Sequence, residues 1–554
     1  MYQIETRRFA ENDLGKLNSI YDYHCVYILE NDVYAYIGET KNITDRETQH
    51  SIDEKKKQYK FERIHIIGSK EAEGTPAKHF ERMLIKLMKA DNKFKVVNGN
   101  DGETTYYDRK NKFEMYFDEL WPKLVERGLA KTKEFKTILN SNVYKYSPHT
   151  PLTKKQHETL TNIVNVINSE ETEPHVAGKG FKVKPILIEG DAGTGKTVVA
   201  TSLFHYLKNN ELHKNKEIAL VYSLPATRAE IQEVFRNTIG LSEGDVIAPV
   251  EVTKRCYDII ICDEAHRLRR GENLGMYSKW FKSGNKRLEL DDDHDELDWV
   301  LLNSKCHILF YDKQQIVCPS DITHNSFEDR LYSEKRGTRL VKLDEQIRIR
   351  AGDKYVPYIH SIFRHEATAH QTFENYDLRL FTNFPDMVKL LREKEKEVGL
   401  CRLCGGYAWK WNKWKSDQKE TYSQGDICID GEAIHWNTET GGWVRNQKAK
   451  DEMGSIYTLA GLDLNYVGVV IGPDLYYDKA SNKIKVNKQN FYDNKVKKGV
   501  SDKELKEYVL NTYAVLLTRG IYGTFIYICD EALREYFQKF VDVEMPSNEC
   551  PRDT

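Results

Sequence analysis

The chain has 554 residues, 40% of them hydrophobic and 30% charged, and its basic and acidic side chains leave a formal net charge of −2. This length predicts roughly three to four domains, and the near-zero charge excludes a polycation, so any surface for an anionic polymer must be local. No signal-peptide pattern opens the sequence, no run of about 18 apolar residues occurs, and the ten cysteines fit a reducing compartment, so we expect a cytoplasmic protein that does not enter a membrane.

Short strands and helices are predicted to alternate over the first hundred residues. The segments HCVYILE and YAYIGET predict two strands, and KFERIHIIGS predicts a third. Apolar residues at helical spacing in AKHFERMLIKLMKAD predict an amphipathic helix, on which Glu81 points away from the apolar stripe. The charged and aromatic residues that follow predict a helical connector, and the two prolines of NVYKYSPHTP mark a domain boundary.

Several polar side chains of this region suit phosphodiester chemistry. Arg46 and His50 are four residues apart on the helix predicted after the second strand, so they share a face. Tyr27 and Tyr36 lie on the first two predicted strands, and Asn98 follows the apolar run FKVV. Two tyrosine-bearing strands followed by a charged helix are common, so the tyrosines alone are weak evidence for a site.

As a set, these residues resemble the GIY-YIG endonuclease family over most of the first hundred residues, with CVY in place of G-I-Y. The resemblance implies a metal-dependent nuclease in which Glu81 holds Mg²⁺ or Mn²⁺. Tyr27, aided by Tyr36 or His50, would take or orient the proton of the attacking water, and Arg46 would bind phosphate oxygens. Because a tyrosine with a pKa of about 10 is a poor base, the metal and Arg46 would have to lower it. The candidate catalytic residues are Tyr27, Tyr36, Arg46, His50, Glu81 and Asn98.

From about residue 151 the pattern changes to near-continuous apolar runs that end in polar loops. The runs KPILIEG, IALVYSL, YDIIICDE, HILFYD and RLVKLDE are typical of parallel strands buried on both faces. They alternate with helical stretches, which predicts a doubly wound α/β sheet. A second set, GSIYTL, NYVGVVIG and GTFIYICD, predicts a second α/β lobe, and the segment between the two sets is rich in Trp, Tyr and charge.

Residues 190–197 have the pattern G-x-x-x-x-G-K-[ST], between the strand KPILIEG and the helix VVATSLFHYL. This is the context of a phosphate-binding P-loop, in which the glycines let backbone N–H groups surround the phosphates. Lys196 would reach the β- and γ-phosphates, and Thr197 would bind Mg²⁺. The predicted nucleotide-binding residues of this loop are Gly190, Gly193, Thr194, Gly195, Lys196 and Thr197.

Downstream, the apolar strand YDIIIC ends in the residues D-E-A-H. A carboxylate at the end of a strand beside a P-loop suits Mg²⁺, which is the role predicted for Asp263. Glu264 would orient and deprotonate the attacking water. His266 would link the nucleotide state to the rest of the domain, although a packed histidine fits the same pattern.

The ordered motifs between about residues 147 and 540 resemble superfamily 1 helicases, and most of all the Schlafen-type helicase-like P-loop family. PLTKKQ is similar to the family's L-T-x-x-Q, so Gln156 would read adenine, and FYDKQQ to G-D-x-x-Q, so Gln315 would sense the γ-phosphate. LDEQIR and YAVLLTR resemble the motifs that carry two arginine fingers, here Arg348 and Arg519. A P-loop leaves the far side of the γ-phosphate without positive charge, and two such arginines would supply it.

Two further segments, GYAWKW and IYTLAGLD, resemble motifs of the same family. In the second, Tyr457 stands where histidine is usual, and Ala460 where glutamine or lysine is usual. These substitutions imply ATP hydrolysis with weak unwinding of nucleic acid, or with none.

Four other features carry weaker expectations. Cys401 and Cys404 have zinc-ligand spacing, but no second pair follows, which disfavours a zinc site. The acidic run 291–296 is expected to be a solvated loop. The lysines at 55–57 would touch a phosphate backbone or form an ordinary exposed face. The aromatic residues within 405–445 would stack on bases or pack in a core.

These patterns predict an α/β fold with one small domain and two large lobes. The predicted parts are a small α/β GIY-YIG nuclease domain (1–104), a helical connector (105–146), a RecA-like doubly wound lobe (147–345), a second RecA-like lobe (346–545) with an insertion at about 365–450, and a C-terminal tail (546–554).

The predicted function is an ATP-dependent nucleic-acid endonuclease with a helicase-like motor, using ATP and Mg²⁺. DNA is favoured over RNA as the partner, and the architecture suggests bacterial defence against phage or foreign DNA. Two alternatives stay open: a nucleotide-switched clamp on nucleic acid with a vestigial nuclease, and an RNA-directed nuclease. Assembly into a homo-oligomer is also left open, and no membrane partner is expected.

Overall fold

The structure is a computed structural model, and it divides the chain into two compact units. The first unit comprises Met1–Glu158 together with Thr201–His205 and Gln232–Glu243. The second comprises Thr159–Ala200, Tyr206–Ile231 and Gly244–Thr554. The residues that the structure describes are 3–9, 25–68, 75–98, 110–150, 152–170, 185–331, 338–410, 425–439, 442–459 and 461–544.

The first unit is built on one mixed sheet with helices beside it. Its strands run in the order β1-β4-β2-β3-β5, and the neighbours are antiparallel except for the parallel pair β3 and β5. The elements, in chain order, are β1 (Gln3–Arg8), β2 (Cys25–Glu30), β3 (Tyr34–Thr40), α1 (Ile43–Ile52), α2 (Glu54–Lys57), β4 (Arg63–Gly68), α3 (Thr75–Asp91), β5 (Lys95–Val96), α4 (Lys110–Glu126), α5 (Phe135–Leu139) and α6 (Asn142–Tyr146). The next helix, α7 (Lys154–Glu170), begins in the first unit and belongs to the second unit from Thr159 on.

Strand β2 is buried on both faces, which decides where its side chains point. Val26 and Ile28 face a core shared with α3, whereas Tyr27 and Leu29 belong to a separate cluster on the other face. Successive side chains of a strand alternate between its two faces. The strand therefore aims Tyr27 away from the main core.

The predicted helical connector at 105–146 packs in this core over its described residues. Phe117, Trp121 and Leu124 of α4 are fully buried at helical spacing. The ring of Phe117 stacks on Phe80 of α3, with 4.6 Å between the ring centroids. Burying one aromatic ring of this kind contributes about 1.5–3 kcal/mol, so α4 stabilises the sheet domain directly.

The second unit contains a six-stranded sheet with the order β11-β6-β10-β9-β7-β8, in which all the paired strands are parallel. The order reverses beside β6, and crevices for ligands form at such switch points. The elements around this sheet are β6 (Ile186–Gly190), α8 (Lys196–Asn209), β7 (Ile218–Val221), α9 (Pro225–Arg236), β8 (Val246–Ile247), α10 (Pro249–Val252), β9 (Tyr257–Cys262), α11 (Ser278–Arg287), α12 (Glu296–Leu302), β10 (Ser304–Tyr311), α13 (His324–Leu331) and β11 (Arg339–Leu343).

An eight-stranded sheet follows, with the order β14-β15-β16-β13-β17-β20-β12-β21. Its recorded pairs are parallel except for β14 with β15, and β18 and β19 form a separate antiparallel hairpin. The elements are α14 (Tyr355–Arg364), β12 (Asp377–Phe381), α15 (Phe384–Val398), β13 (Cys401–Gly405), β14 (Ile427–Ile429), β15 (Glu432–Trp436), β16 (Glu452–Gly454), α16 (Ile456–Leu459), β17 (Leu464–Ile471), β18 (Leu475–Asp478), β19 (Lys483–Val486), α17 (Asn494–Lys497), α18 (Asp502–Leu517), β20 (Gly520–Ile528), α19 (Glu531–Phe537) and β21 (Val543–Glu544).

The segment expected as an insertion at about 365–450 supplies strands to this sheet instead. β12, β13, β14 and β15 all lie in the eight-stranded sheet, so the described part of the segment belongs to the lobe itself. Trp436 and Trp443 are buried there, and Trp443 Nε1 donates a hydrogen bond of 2.6 Å to Glu452 Oε2. These two side chains therefore pack in a core rather than offer stacking surfaces; residues 411–424 lie outside the described part of the chain.

The two cysteines with zinc-ligand spacing lie on opposite faces of β13. Cys401 packs in one hydrophobic cluster and Cys404 in another. Burial raises the pKa of the Cys401 thiol to about 12 and that of Cys404 further. The pair cannot hold one ion together, which agrees with the missing second pair in the sequence. Within the described ranges, no helix is long and apolar enough to cross a membrane.

Candidate nucleotide site and tyrosine cluster

The loop after β6 requires glycine at defined positions. Gly193 and Gly195 have φ values of +90° and +79°, a region that disfavours other side chains. A β-carbon on Gly190 would lie 2.6 Å from Thr194 Oγ1 and 2.8 Å from the Leu343 carbonyl oxygen. The loop is therefore folded tightly between β6 and the end of β11, at the switch point of the sheet.

Lys196 opens α8, and its ammonium group lies inside this loop. Its Nζ donates hydrogen bonds to the carbonyl oxygens of Gly190 at 2.6 Å and Asp191 at 3.0 Å. Asp312 Oδ2, at the end of β10, lies 3.5 Å from the same Nζ. The buried cation is thus held by loop carbonyls and one carboxylate, in the place where P-loop proteins bind phosphate.

Thr197 and Asp263 form a pair of oxygen ligands. Thr197 Oγ1 donates a 2.7 Å hydrogen bond to Asp263 Oδ2, and the Tyr222 hydroxyl donates to the same oxygen at 2.9 Å. Burial and the neighbouring Glu264 raise the pKa of Asp263 to about 6. A hydroxyl and a carboxylate are ligands that Mg²⁺ accepts, so this pair fits the predicted metal role.

Glu264 is kept ionised by its neighbour. Burial opposes its charge, but His266, whose Nε2 lies 2.7 Å from Glu264 Oε2, holds the pKa of Glu264 below its ordinary value. The backbone N–H of Asp312 donates to His266 Nδ1 at 3.3 Å, which places the ring proton on Nε2, facing Glu264. Glu264 itself has a φ of +52°, at the turn that follows β9. The arrangement suits a carboxylate that accepts a proton.

The two predicted arginines are both fixed by side chains of the second unit. Arg519 donates to Gln315 Oε1 at 2.8 Å, and burial followed by Arg348 lowers the pKa of Arg519 to about 10. Arg348 donates to Asp463 Oδ1 at 2.5 Å and to the Thr518 carbonyl at 3.0 Å. Both guanidinium groups therefore already have partners on the protein.

Gln315, Asp312 and Lys196 continue this network. Gln315 Nε2 donates to Asp312 Oδ2 at 2.7 Å, and Asp312 in turn faces Lys196. Asp312 was part of a recognised motif but had no predicted role. A hydrogen-bonded chain thus joins the P-loop lysine to Arg519, the predicted arginine finger.

Sequence reasoning also missed Gln346, which lies against the P-loop. Gln346 Nε2 donates to the Ala192 carbonyl at 2.7 Å, and a β-carbon on Gly193 would overlap its side-chain oxygen. Its position two residues before Arg348 was the available signal. Gln156, predicted to read adenine, belongs to the first unit, where its Oε1 accepts a hydrogen bond from the Thr153 N–H at 3.0 Å.

In the first unit, the structure brings most of the predicted nuclease residues together around Tyr27. Tyr27 lies opposite Gly38 in the β2–β3 register, and a β-carbon on that glycine would overlap the tyrosine hydroxyl. His50 Nε2 lies 2.5 Å from the hydroxyl, and Arg46 Nε donates to it at 3.3 Å. The ring of Tyr36 is 6.3 Å from that of Tyr27. We call Tyr27, Tyr36, Arg46 and His50 the tyrosine cluster.

Lys56, one of the lysines at 55–57, sets the proton arrangement of this cluster. Its Nζ lies 2.6 Å from His50 Nδ1 and 3.8 Å above the Tyr36 ring. Burial followed by Lys56 lowers the pKa of His50 to about 3, so the imidazole is neutral. Because an ammonium group only donates, Nδ1 accepts, and the Nε2 proton points at Tyr27. The Tyr27 oxygen thus receives two donors.

Arg46 by itself does not lower the tyrosine pKa values below their ordinary range. Burial raises the pKa of Tyr27 and of Tyr36, and the lowering effect of Arg46 is smaller than that of burial. Burial, followed by Glu39, raises the pKa of Glu81 to about 7. Among the described residues, no group of three or more His, Cys, Asp or Glu side chains could hold a metal ion.

Asn98 supports the sheet rather than reaching toward the tyrosines. Its Oδ1 accepts from the Ile37 N–H at 3.0 Å, and its Nδ2 donates to the Ile37 carbonyl at 2.6 Å. The side-chain amide therefore pairs with β3 as a backbone peptide would, directly between Tyr36 and Gly38. Its predicted catalytic role stays a prediction, and the bonds show that the side chain also positions β3.

The acidic run 291–296 is only partly the solvated loop that was expected. The side chains at 291–293 are exposed, but Asp295 caps α12 and pairs with Arg330. Glu296 is fully buried, accepting from the Arg269 N–H at 2.8 Å and the Tyr277 hydroxyl at 2.6 Å. Burial raises the pKa of Glu296 to about 7. The bonds were not visible in the run itself because their partners lie elsewhere in the chain.

The substituted motif around Tyr457 is packed into the second unit. The Tyr457 hydroxyl donates to Asp493 Oδ2 at 2.9 Å, and its ring lies 5.7 Å from that of Tyr407. Ala460 lies outside the described residues. Tyr457 therefore replaces the usual histidine with a side chain that is bound within its own lobe.

The chain is similar to one curated relative and to several solved structures. A relative, the uncharacterized Saccharomyces cerevisiae protein YPL245W, is 26% identical over 396 residues, which cover 63% of this chain and 82% of that protein. Among solved structures, the arterivirus nonstructural protein 10 helicase matches 64% of this chain and 61% of its own, with 13% identity and a TM-score of 0.29. Pif1 helicase from Candida albicans matches 70% of this chain and 99% of its own, with 9% identity and a TM-score of 0.27.

The family model described as Schlafen group 3, DNA/RNA helicase domain, matches residues 184–530. The matched range includes the P-loop, the Asp263 and Glu264 pair and both arginines. It covers more than half of the chain. The chain therefore belongs to the Schlafen group 3 helicase-domain family and contains a helicase-like P-loop domain.

Proposed function

We propose that the second unit hydrolyses ATP with Mg²⁺ and acts as a helicase-like motor on nucleic acid, with DNA favoured over RNA. The observation that carries the proposal is the Thr197–Asp263 oxygen pair beside the buried Lys196 ammonium group. Mg²⁺ bound by this pair would neutralise phosphate charge. The ionised Glu264 supplies the acceptor for the proton of the attacking water.

In this proposal, nucleotide binding exchanges partners that already exist. Lys196 leaves the carbonyl oxygens of its loop for phosphate oxygens, so its charge stays compensated. Arg348 and Arg519 would turn from Asp463 and Gln315 toward the γ-phosphate. The cost of desolvating these cations has been met in the folded protein, so the site is preorganised for phosphate.

The test compares two lysines of α8. Lys196→Ala should abolish ATP turnover. Lys208→Ala is the control: Lys208 also lies on α8 and pairs with Asp245, and its removal should leave turnover intact. Turnover is measured with and without single- and double-stranded DNA and RNA. Turnover that persists in Lys196→Ala would refute the role of the P-loop, and a response to none of the polymers would refute the motor.

We propose as a second activity that the first unit is a metal-dependent endonuclease of GIY-YIG type. The observation that favours it is the convergence of Tyr27, His50 and Arg46 within hydrogen-bonding distance. Bound metal and Arg46 would have to lower the pKa of Tyr27 so that its proton is lost to solvent; the resulting phenolate, stabilised by two donors, would then accept the proton of the attacking water. Glu81 is the carboxylate that would hold Mg²⁺ or Mn²⁺, which would stabilise charge on the phosphate.

The nuclease proposal is tested with Glu81→Ala and the exposed Glu62→Ala as its control. Supercoiled plasmid and a structured RNA are incubated with Mg²⁺, with and without ATP. Cutting that disappears only in Glu81→Ala would support the nuclease and name its polymer. Unchanged cutting would refute the assignment, and no cutting by the unaltered protein would leave the nucleotide-switched clamp as the better function.

The clamp is supported by one observation, the hydrogen bond from Tyr457 to Asp493 in a motif that usually couples ATP to nucleic acid. We also propose a role in defence against phage or foreign DNA in the cytoplasm. Plaque counts on cells that express the protein or Lys196→Ala test this role, and equal counts would refute it.

A further inference from the structure

The segment between β9 and α12 presents two large apolar side chains to solvent. Met276 is 95% exposed and Trp280 is 60% exposed. Their neighbours Tyr277 and Phe281 point inward: the Tyr277 hydroxyl bonds Glu296, and the Phe281 ring lies 5.1 Å from that of Trp299. The outward position of Met276 and Trp280 is therefore fixed by packing beneath them.

Part of this segment, residues 267–287, is basic, and the exposed acidic side chains at 291–293 follow it. Residues 267–287 contain seven basic side chains and one acidic side chain, a net charge of +6, against −2 for the whole chain. Arg267 is buried with Asp321, but Lys279 and Lys286 are exposed on α11, and Lys279 directly precedes Trp280 in the sequence. The basic side chains are Arg267, Arg269, Arg270, Lys279, Lys282, Lys286 and Arg287.

Lysines from the lobe of the eight-stranded sheet continue this surface. Asn273 Nδ2 donates to the Lys498 carbonyl at 2.7 Å, and a β-carbon on Gly275 would lie 3.6 Å from Lys495 Cε. The side chains of Lys495 and Lys498 are exposed. We define the Trp280 surface as Met276, Lys279, Trp280, Lys495 and Lys498.

We propose that the Trp280 surface binds a single strand of nucleic acid, with a base stacked on Trp280 and phosphates at the lysines. The inference rests on the proposed motor function and names a site for its polymer. Exposed aromatic rings beside a basic surface are the features by which proteins bind single strands without sequence preference. A protein partner fits less well, because lysine is depleted in the core of protein interfaces.

Both parts of the surface follow motif-linked residues in the sequence. The first part follows Asp263 and Glu264 along the chain, and the second part follows Asp493, the partner of Tyr457. A bound nucleic-acid strand would contact the lobes of the six-stranded and the eight-stranded sheet at once, because Trp280 belongs to the first and Lys495 and Lys498 belong to the second. A change in the orientation of the two lobes during ATP hydrolysis would change the affinity for the nucleic-acid strand.

The experiment measures binding of a fluorescent single-stranded oligonucleotide by anisotropy over a range of salt concentrations. Trp280→Ala should weaken binding about fivefold to a hundredfold, as expected for the loss of one stacked base. Lys495→Glu combined with Lys498→Glu should reduce the slope of log affinity against log salt by at least about 1.4. The matched controls are Tyr206→Ala, an exposed ring outside the surface, and Lys389→Glu with Lys396→Glu on α15.

ATP turnover without nucleic acid shows that the variants are folded and separates the two proposals. Equal affinity of Trp280→Ala and the unaltered protein, with turnover intact, overturns the Trp280 surface but leaves the motor. Unaltered protein that binds no oligonucleotide overturns both. If Trp280→Ala instead abolishes self-association in sedimentation and leaves the oligonucleotide affinity unchanged, the surface is a protein contact and the proposal is wrong.

Discussion

The nucleotide site and the tyrosine cluster solve different problems with buried polar groups. In the second unit, charged side chains compensate each other through a chain from Lys196 through Asp312 and Gln315 to Arg519. In the first unit, the reacting groups are neutral rings, and burial keeps them so. The charged side chains of the nucleotide site suit the binding of a charged ligand, whereas the chemistry of the tyrosine cluster depends on which of its atoms carry protons.

The difference shows that burial alone does not decide the state of a group. Glu264 is buried and ionised because His266 lowers its pKa, whereas burial, followed by Glu39, raises the pKa of Glu81 to about 7. A neighbouring donor or cation favours the charged form, and a second carboxylate opposes it. Variants that change one neighbour therefore test each site separately.

The largest effect is expected where one hydroxyl carries the proton chemistry. Tyr27→Phe should reduce metal-dependent cleavage about a thousandfold, because it removes the oxygen that His50 and Arg46 address. ATP turnover should not change. Tyr34→Phe is the control, since Tyr34 packs on Tyr59 outside the cluster. Cleavage by Tyr27→Phe at the rate of the control would contradict a catalytic role for the hydroxyl.

A smaller loss is expected when the charged chain of the nucleotide site is broken. Asp312→Ala should lower ATP turnover about a hundredfold, because Lys196 and Gln315 lose their shared carboxylate. Asp258→Ala, at the opposite end of the sheet and paired with Lys305, should turn over ATP normally. Equal ATP turnover rates for the two variants would mean that the hydrogen-bonded network from Lys196 to Arg519 has no part in hydrolysis.

Buried Glu296 predicts a pH-dependent stability. Its pKa is about 7 in the folded protein and 4.5 ordinarily, so between these values the folded state binds more protons than the unfolded state. The free energy of unfolding therefore falls as pH rises through this window. Glu296→Gln should remove about 2 kcal/mol of that fall, as measured by urea unfolding at both ends of the window. Parallel pH profiles for the two proteins would show that Glu296 does not titrate there.

The smallest predicted effect concerns the pH profile of cleavage. Metal binding requires the Glu81 carboxylate, so cleavage at limiting Mg²⁺ should rise about tenfold from pH 6 to pH 8 and then level off. Glu39→Gln should move the rise to lower pH, because it removes the charge that opposes ionisation of Glu81. Glu62→Gln serves as the control. A profile that Glu39→Gln leaves unmoved would contradict this account.

Local spacing was sufficient for parts of both sites. The P-loop pattern placed Lys196 and Thr197 at the start of a helix, where α8 begins, because the loop and its helix are continuous in sequence. The i,i+4 spacing placed Arg46 and His50 on one face, and the structure adds that this face meets Tyr27. Local patterns predict which way a side chain points along its own element.

Contacts between distant segments were not predictable in the same way. The burial of α4 beside α3, the strands found where an insertion was expected, and the bond from Gln346 to the P-loop all join residues far apart in sequence. β1 was also missed, since its pairing with β4 is invisible in its half-exposed polar sequence. Such contacts depend on how the elements pack, which no single window of sequence contains.

The bonds of Asn98 also bear on how the protein would age. Gly99 follows it in the sequence, and a glycine leaves its backbone nitrogen free to attack the side-chain amide, which expels ammonia and leaves aspartate or isoaspartate after hydrolysis. The product would set a carboxylate against the Ile37 carbonyl that the amide now donates to. Stored protein would thereby lose the hydrogen bonds that hold β3, and with them the alignment of Tyr36, whereas the second unit would not change.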